Sequence, residues 1–484
     1  MAAIVSASEL ERYLASIVGA ENVVPQAAAR VAYANDQYWY SIAAAGAGQP
    51  LSRPDIAAKP TTVEQVVEIV KLANRLKIPI TPWGGGSGVQ GAANADRGGI
   101  VLDLCLLNRV REIDERSLTC LVEAGKTCQT LEAEMNERGL SFTHYPASTE
   151  WATIGGSIGA RGSGVLSTKY GKIEDHVMSI EFVTPTGELV HTPSVPRHAA
   201  GPELTQLLIG AEGTLGIVTA ASLKLHLLPE RRVFSVFSFE NLSDGIEAGR
   251  RIMVTGLKPP VMRLYDAYAA SHSLARAVEA ELPHATMVMM FDGEYPALVE
   301  LEAHLASQIC QQLNGKKLDS RIGETWWERR YVFYYPPYAP ELPSIWGTVD
   351  MVADFQHIEA VYHATTQAMH AAAPAEYNLQ LTTHFSHWYE WGSMIYARMK
   401  IPTGPADLNE AKALHDRIFY AGVEAAMKAG AVLNDHHGVG MRLAPYMNLQ
   451  YGEGMVALSR IKGALDPNNI LCPGKLQLQP PATA

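Results

Sequence analysis

A chain of 484 residues is too long for one hydrophobic core, so two or three domains are expected; 47% hydrophobic and 18% charged residues is an ordinary soluble composition. The formal net charge of -11 excludes the basic face that nucleic acid needs and a polybasic hold on a membrane surface. No apolar run reaches the length of a membrane span, and the N-terminus "MAAIVSASELERYLASIVG" lacks the basic and unbroken apolar regions of a signal peptide. The five cysteines are scattered, with no CxxC pair, which fits reduced thiols in a cytoplasmic protein.

Residues 1–47 read as a helical segment ending in the small-residue string "SIAAAGAGQP". In "KPTTVEQVVEIVKLANRLKIPITPWGGG" a threonine cap opens an amphipathic helix, with Val63, Val66, Val67, Val70 and Leu72–Ala73 at helical spacing. A short strand, Ile78–Pro82, then runs into a loop rich in glycine: Gly84, Gly85, Gly86, Gly88 and Gly91. "GGIVLDLCLLNRV" and "LTCLVEAGKT" read as buried strands, and "CQTLEAEMNERGL" as a helix closed by Gly139. Two further glycine-rich segments follow, "ATIGGSIGARGSG" (152–164) and "GAEGTLGIVTAASLKLHLLP" (210–229).

After Pro229 strands and helices alternate in an α+β texture to about residue 445, with aromatic-rich stretches at 326–338 ("WWERRYVFYYPPY") and 383–399 ("THFSHWYEWGSMIYARM"). A helix and a proline-punctuated tail close the chain. The expected divisions are therefore 1–47, 48–229, 230–445 and 446–484, with no fixed-period repeat.

Glycine costs backbone entropy, and a chain accepts that cost where backbone must turn through positive φ or approach another group closely. Loops of this kind aim successive N–H groups at one point and suit a diphosphate. None of them matches GxxxxGK[ST], and none follows a first βαβ strand as GxGxxG, so neither nucleotide hydrolysis nor a nicotinamide site is supported. The competing reading is turn geometry alone; Gly155 and Gly156, for instance, suit close strand packing.

Taken together, "PWGGGSGVQG", "PASTEWATIGGSIGARGSGVLSTKYGKIEDHV", "GAEGTLGIVTAASLKL" and "LDPNNILCPGK" resemble the vanillyl-alcohol-oxidase (para-cresol-methylhydroxylase, PCMH) superfamily of FAD enzymes. The resemblance spans about residues 50–476. It is strongest to the alkyl-dihydroxyacetonephosphate synthase and glycolate/D-lactate dehydrogenase members. It implies an α+β protein: a PCMH-type FAD-binding domain of two subdomains, and an α+β cap with an antiparallel sheet. By the same resemblance Pro82, Trp83, Gly84, Gly85, Gly86, Ser87 and Gly88 cradle the pyrophosphate of FAD. Pro146, Ser148, Thr149, Thr153, Gly156, Ser157, Ala160 and Ser163 flank the flavin and its ribityl chain. Glu212, Gly213, Gly216, Ile217 and Val218 lie toward the adenine, and Lys475 returns from the C-terminus to the FAD domain. Members that tether FAD covalently carry a histidine where this chain has Gly85 or Gly86, or a cysteine near "PASTEW". Neither is here, so non-covalent FAD is expected, with His384 or His387 the remaining tether candidates.

Oxidising an alcohol needs a base for the hydroxyl proton while hydride goes to the flavin. The resemblance aligns His436 and His437, in "LNDHHGVGMR", with the family's catalytic histidines, and Tyr396 with an active-site tyrosine. Asp435 replaces the first histidine of a triplet and can orient a neighbouring imidazole. His384 stands where dehydrogenase members have histidine and the synthase has arginine. Tyr389 and Trp391 read as core aromatics.

"YYPPYAPELP" lacks the synthase's second arginine, whereas Arg263 in "VMRLYD" persists, either functional or a structural ion-pair partner. No full metal motif is present, although His384, His436 and Asp435 form a minority ligand set for zinc or manganese. The leading expectation is an FAD-dependent oxidoreductase acting on a 2-hydroxy acid or an aromatic or secondary alcohol. The alternatives are a synthase-like flavin transferase without net oxidation, and a non-catalytic flavin protein. Expected partners are a small-molecule substrate and an electron acceptor, oxygen or a carrier, with self-association left open.

Overall fold

In the computed structural model, which describes residues 6–331 and 341–481, the amphipathic helix Val63–Leu76 forms as expected. The Thr62 hydroxyl caps it by accepting the Gln65 N–H, and Lys77 ends it in the left-handed region at φ 56. Its buried face, Val66, Ile69, Val70, Leu72 and Ala73, packs on a four-stranded sheet ordered Val23–Val24, Ile56–Ala58, Ile100–Asp103, Ile80–Trp83. The last three strands run parallel, and Ile100–Asp103 is buried along its whole length, as a strand covered on both faces must be.

A second sheet is antiparallel throughout, in the order Val110–Asp114, Thr119–Glu123, Ile217–Lys224, Val177–Val183, Leu189–His191. The helix Val63–Leu76 shares one apolar cluster with Val183 and Ile217 of this sheet. The two sheets and their glycine loops therefore form one body.

The residues after Pro229 build an eight-stranded antiparallel sheet. Its order is Lys316–Lys317, Arg231–Phe239, Ala285–Gly293, Val261–Tyr265, Gln380–Tyr389, Gly392–Ile401, Ile345–Asp354, Val432–Leu433. Side chains alternate across it. Val349, Met351, Phe385, Ile395 and Ala397 join the main core with the helices Leu242–Val254, Pro296–Gln312, Ile358–Ala372 and Leu408–Lys428. Their neighbours Asp350, His384 and Tyr396 stand on the opposite face, brought level by register: Tyr396 pairs with Asp350 on one side and His384 on the other. That face looks toward the glycine-loop half. The Trp388 backbone N–H donates to Thr168 Oγ1, and Lys169 pairs with Asp292 at 2.9 Å.

The N-terminal segment is knitted into both halves. Val23–Val24 adds an edge strand beside Ile56–Ala58, and Trp39 enters the core of the large sheet, stacked on His415 at 4.9 Å. At the other end the tail returns to the first sheet. Ile80 donates to the Ile470 carbonyl and accepts from the Cys472 N–H. Of the aromatic stretch 326–338, residues 332–338 lie outside the described residues, as does most of "YYPPYAPELP". Trp391, expected in the core, is 70% exposed at the tip of the hairpin between Gln380–Tyr389 and Gly392–Ile401, because the two-residue turn carries it beyond the last strand pair.

Gly85 shows what the first loop requires. A Cβ there would stand 1.7 Å from the Trp151 carbonyl oxygen, so the first two glycine segments touch backbone to backbone. At Gly88 the nearest atom to such a Cβ is 3.9 Å away. Gly85→Ala should therefore cost about 1–3 kcal/mol by overpacking and lower the melting temperature, while Gly88→Ala leaves it unchanged within error. Equal melting temperatures for the two variants would show that this contact does not constrain the loop.

Candidate active site

The strand Ile80–Trp83 delivers its last residues into the loop Gly84–Gly88. Among the described residues the backbone N–H groups of Gly84, Gly85, Gly86, Ser87 and Gly88 find no protein acceptor. Gly86 sits at φ 62 and lies on the Trp83 indole, which Tyr33 meets edge-on at 5.1 Å. Unspent donors around a positive-φ turn make a concavity suited to a diphosphate. Beside it the Gln90 side chain is buried with neither amide atom partnered, and Asp36 Oδ2 is likewise unpartnered. Burial raises the Asp36 carboxyl to about 6. A polar ligand that brings its own donors and acceptors fits this lining.

The other expected cofactor residues surround the same region. Thr153 caps the short helix Ile154–Ala160 by accepting the Gly156 N–H, and Ser157 is buried on that helix. Pro146, Ser148 and Thr149 form the preceding turn, where the Ser148 carbonyl accepts from Trp151 and Ala152. Ser163 is buried, with its hydroxyl 3.5 Å from Asp435. Gly213 packs on Pro82, and Gly216 on Leu208 and Phe182 just before the strand that Ile217 and Val218 begin. Lys475 is buried, donating to the Gly91 carbonyl at 3.0 Å and pairing with Asp96 at 2.8 Å. Glu212, expected toward the adenine, gives its carboxylate to the N–H groups of Val439 and Gly440. Burial raises its carboxyl to about 7. It thus clasps the glycine-loop half to the segment that carries the two histidines. Ala160 borders the same clasp, 3.5 Å from where a Cβ of Gly438 would stand.

That segment turns tightly, with Asn434 at φ 66, Gly438 at φ 75 and Gly440 at φ 52. Two buried carboxylates organise it. Asp350, from the large sheet, accepts from His437 Nδ1 at 2.8 Å, from Asn434 at 3.2 Å and from the Asp435 and His436 N–H groups at 3.3 Å. Asp435 binds His387 Nδ1 and His436 Nδ1 at 2.9 Å each, and its other oxygen accepts from the Tyr389 hydroxyl at 2.7 Å. Lys172, from the glycine-loop half, donates to the Asp435 carbonyl. Burial alone would raise both carboxyls. The Lys172 ammonium and the imidazole donors outweigh it at Asp435, and His437 and His436 do so at Asp350, so both are held below the usual carboxylate range.

Each imidazole that donates Nδ1–H to a carboxylate keeps its lone pair on Nε2, the atom that can accept a proton. Burial, with His437 adjacent, lowers the His436 pKa to about 4, so the ring is neutral and able to accept at neutral pH. Tyr396 lies between the groups: its ring is 4.8 Å from His384, nearly parallel, 5.7 Å from His437 and 6.2 Å from His436. Burial, reinforced by the Arg263 charge, holds His384 neutral as well.

The expected residues Tyr396, His384, Asp435, His436 and His437 thus meet at one place. Asp350 was missed, although an acid on a strand as apolar as "GTVDMVAD" is itself a signal. Tyr389, expected as packing, hydrogen-bonds the central carboxylate. Among the described residues two triads have ligand atoms close enough to share a metal ion, Asp350–His436–His437 and His387–Asp435–His436. The set weighed from sequence is not one of them, because His384 faces Tyr396.

This is a flavin-binding architecture with an acid–base cluster on the facing sheet. A family model for an FAD binding domain matches residues 54–193, and a model for FAD linked oxidases, C-terminal domain, matches 228–476. The chain belongs to the FAD-linked oxidase family. It is similar to a mitochondrial cytochrome D-lactate dehydrogenase of Arabidopsis thaliana, 29% identical over 87% of this chain and 73% of that one. It is equally similar to an alkyldihydroxyacetonephosphate synthase of Trypanosoma brucei brucei, 29% identical over 89% and 74%. The crystal structure of p-cresol methylhydroxylase with substrate bound shares its fold, with a TM-score of 0.77 at 19% identity over 98% and 97% of the two chains. The protein is therefore an FAD-linked oxidoreductase with a PCMH-type FAD-binding domain and an antiparallel-sheet second domain. No described helix is long and apolar enough to cross a membrane.

Tyr396→Phe and His437→Ala should each slow substrate reduction of the flavin about a hundredfold or more, the scale of acid–base groups. The double variant should be little slower than the poorer single one, since groups in one proton transfer are not additive, and FAD content should stay near normal. Single variants that reduce flavin at the parent rate would remove these residues from the proton transfer. Burial holds His436 neutral well below pH 6.5, so with His436 as the base flavin reduction by the unsubstituted enzyme should stay level between about pH 5 and 8; a loss of rate on acidification through pH 6.5 would exclude His436 as the base.

Proposed function

We propose that the protein oxidises the CH–OH group of a 2-hydroxy acid, holding its FAD without a covalent bond. The observation that carries this is a cation without an anionic partner beside neutral bases. Arg263 makes no ion pair among the described residues, lies over the Trp326 ring at 5.5 Å, and its charge bears on His384. A substrate carboxylate there would meet a guanidinium suited to it. The name of the dehydrogenase relative, a D-lactate enzyme, supports the same class.

FAD, when bound, supplies the hydride acceptor. His436 or His437 takes the hydroxyl proton at Nε2, with Nδ1–H held by Asp435 or Asp350. Tyr396, among three imidazoles, positions the substrate oxygen. The large sheet and the glycine-loop half, joined by the Glu212 and Lys172 contacts, exclude water around the reacting carbon. The nearest thiol to the first loop, Cys105, donates to the Gly84 carbonyl at 3.2 Å. Burial and the adjacent Asp103 raise it to about 12, so it is protonated and a poor partner for a flavin bond.

Anaerobic mixing with a panel of 2-hydroxy acids, benzylic alcohols and secondary alcohols tests the reading. Hydroxy acids should bleach the flavin. Arg263→Met should raise the concentration for half-maximal bleaching about ten- to hundredfold, the loss expected for a hydrogen bond to a charged group. Bleaching by neutral alcohols alone, indifferent to Arg263→Met, would replace the substrate class; no bleaching by any member, with product formed from an acylated ketone ester, would favour the transferase. Acid precipitation should release all the flavin, whereas yellow colour remaining in the pellet would show a covalent bond.

A further inference from the structure

The face of the large sheet that carries His384 and Tyr396 also carries an arginine that the oxidation argued above does not use. Arg398 lies two residues beyond Tyr396 on the strand Gly392–Ile401, so the pleat sends both side chains to one face. No register shift intervenes: Tyr396 pairs with Asp350 and His384, and Arg398 with Thr348 and Thr382. Arg263 reaches the same face from the other direction. Tyr265 pairs with His384, and Arg263 precedes Tyr265 by two residues on the strand Val261–Tyr265.

The ladders are antiparallel, so the two arginines stand on opposite sides of the row Tyr265–His384–Tyr396–Asp350. Each is about 7 Å from that row along the strand, two residues at the strand rise. Both charges bear on His384, which agrees with this placement.

Neither guanidinium has an anionic partner among the described residues, in a chain where Asp and Glu outnumber Lys and Arg by 50 to 39. Asp350, one row from Arg398 by register, gives its oxygens to His437, Asn434 and the N–H groups of the histidine turn. The side chains level with Arg398 on either side, Thr348 and Thr382, are neutral. Arg398 is exposed and so free to meet a ligand, and its strand lies inside the sheet with a neighbour on each side. A guanidinium presents a planar fork that matches a carboxylate or a phosphate with two hydrogen bonds. An apolar chain end set against it would only strip its hydration.

We propose that the substrate is a 2-hydroxy acid with a second anionic group at its far end, a carboxylate or a phosphate ester, and that Arg398 binds that group. The proposal rests on the oxidation of a 2-hydroxy acid argued above, with Arg263 on the carboxylate beside the reacting carbon. Held at both ends, such a substrate lies across His384 and Tyr396 and presents its CH–OH carbon between the two arginines. An acid with one anionic group is held at one end only. Arg398 is then a specificity-determining residue and takes no part in proton or hydride transfer.

Binding and reduction are read separately on the holoenzyme. The 2-oxo acids, products of the proposed oxidation, should perturb the spectrum of oxidised flavin as they bind, without turnover. Diacids of about four to six carbons, or a phosphorylated 2-oxo acid, should bind about tenfold or more tighter than monoacids of equal length, the gain expected from one more hydrogen-bonded charge. Which of the two binds tighter identifies the second group as carboxylate or phosphate. Arg398→Met should narrow the gap between dianions and monoacids about tenfold or more, chiefly by weakening the dianions, and Arg398→Lys should restore part of it. Arg263→Met should weaken both classes. Equal binding of the two classes to the parent protein, or equal weakening of both by Arg398→Met, would overturn the proposal. In anaerobic stopped flow the half-saturating concentrations of the matching 2-hydroxy acids should follow the same order. Dianions that bind with this preference while no hydroxy acid bleaches the flavin would count against the oxidation and not against the Arg398 site.

Discussion

A carboxylate taken out of water must be compensated, and Asp435 is compensated from three directions at once. His387 reaches it from one strand of the large sheet and Tyr389 from the end of the same strand, His436 comes from its own turn, and Lys172 from the glycine-loop half. Removing a partner from such a cluster leaves a buried charge exposed to the full desolvation penalty. The cluster therefore joins the two domains and, on the proposed function, supplies the acid–base groups as well. Asp350 plays the matching part for His437 and for the backbone of the turn, so two anions determine which nitrogen of each imidazole is free.

The same economy of contacts appears in the glycines. Gly438 and Gly440 permit Glu212 and the Gln90 carbonyl to reach the turn, since a Cβ at either would stand 2.2 Å from an oxygen. Gly84 and Gly85 serve the contact between the first two loops, where Thr153 and Trp151 occupy the space a side chain would need. These contacts fix the path of the first loop, whose N–H groups are left without protein acceptors among the described residues. The contacts at Gly84 and Gly85 hold the glycine-loop half together, and those at Gly438 and Gly440 join that half to the histidine turn.

The α+β class, the antiparallel sheet of the second domain and the tail's return to the first sheet were legible from periodicity and from the motif resemblance. Strand limits moved slightly, from Ile78–Pro82 to Ile80–Trp83, because hydrogen bonding to Ile100–Asp103 and Ile470 decides where pairing begins. Less legible were residues whose role depends on a distant partner. Tyr389 and Trp391 share a hairpin and an aromatic character, yet one reaches Asp435 and the other is exposed to solvent. Composition cannot separate them; the direction of each side chain from the pleat does.

By itself the sequence determined the local rules: where helices cap, which strands alternate, where glycine permits positive φ, and that the loops and the histidine pair belong to an FAD-linked oxidase. The tertiary structure alone decided that Asp350, an acid on an apolar strand, lies level with Tyr396, and that Glu212 clasps the turn that carries the two histidines. It also decided that Arg263 and Arg398, far apart in the chain, stand on one face of the large sheet. The reason is physical: backbone hydrogen bonding and side-chain period are properties of neighbours in sequence, whereas the compensation of a buried charge or an orphaned nitrogen depends on whatever the fold brings within about 3 Å.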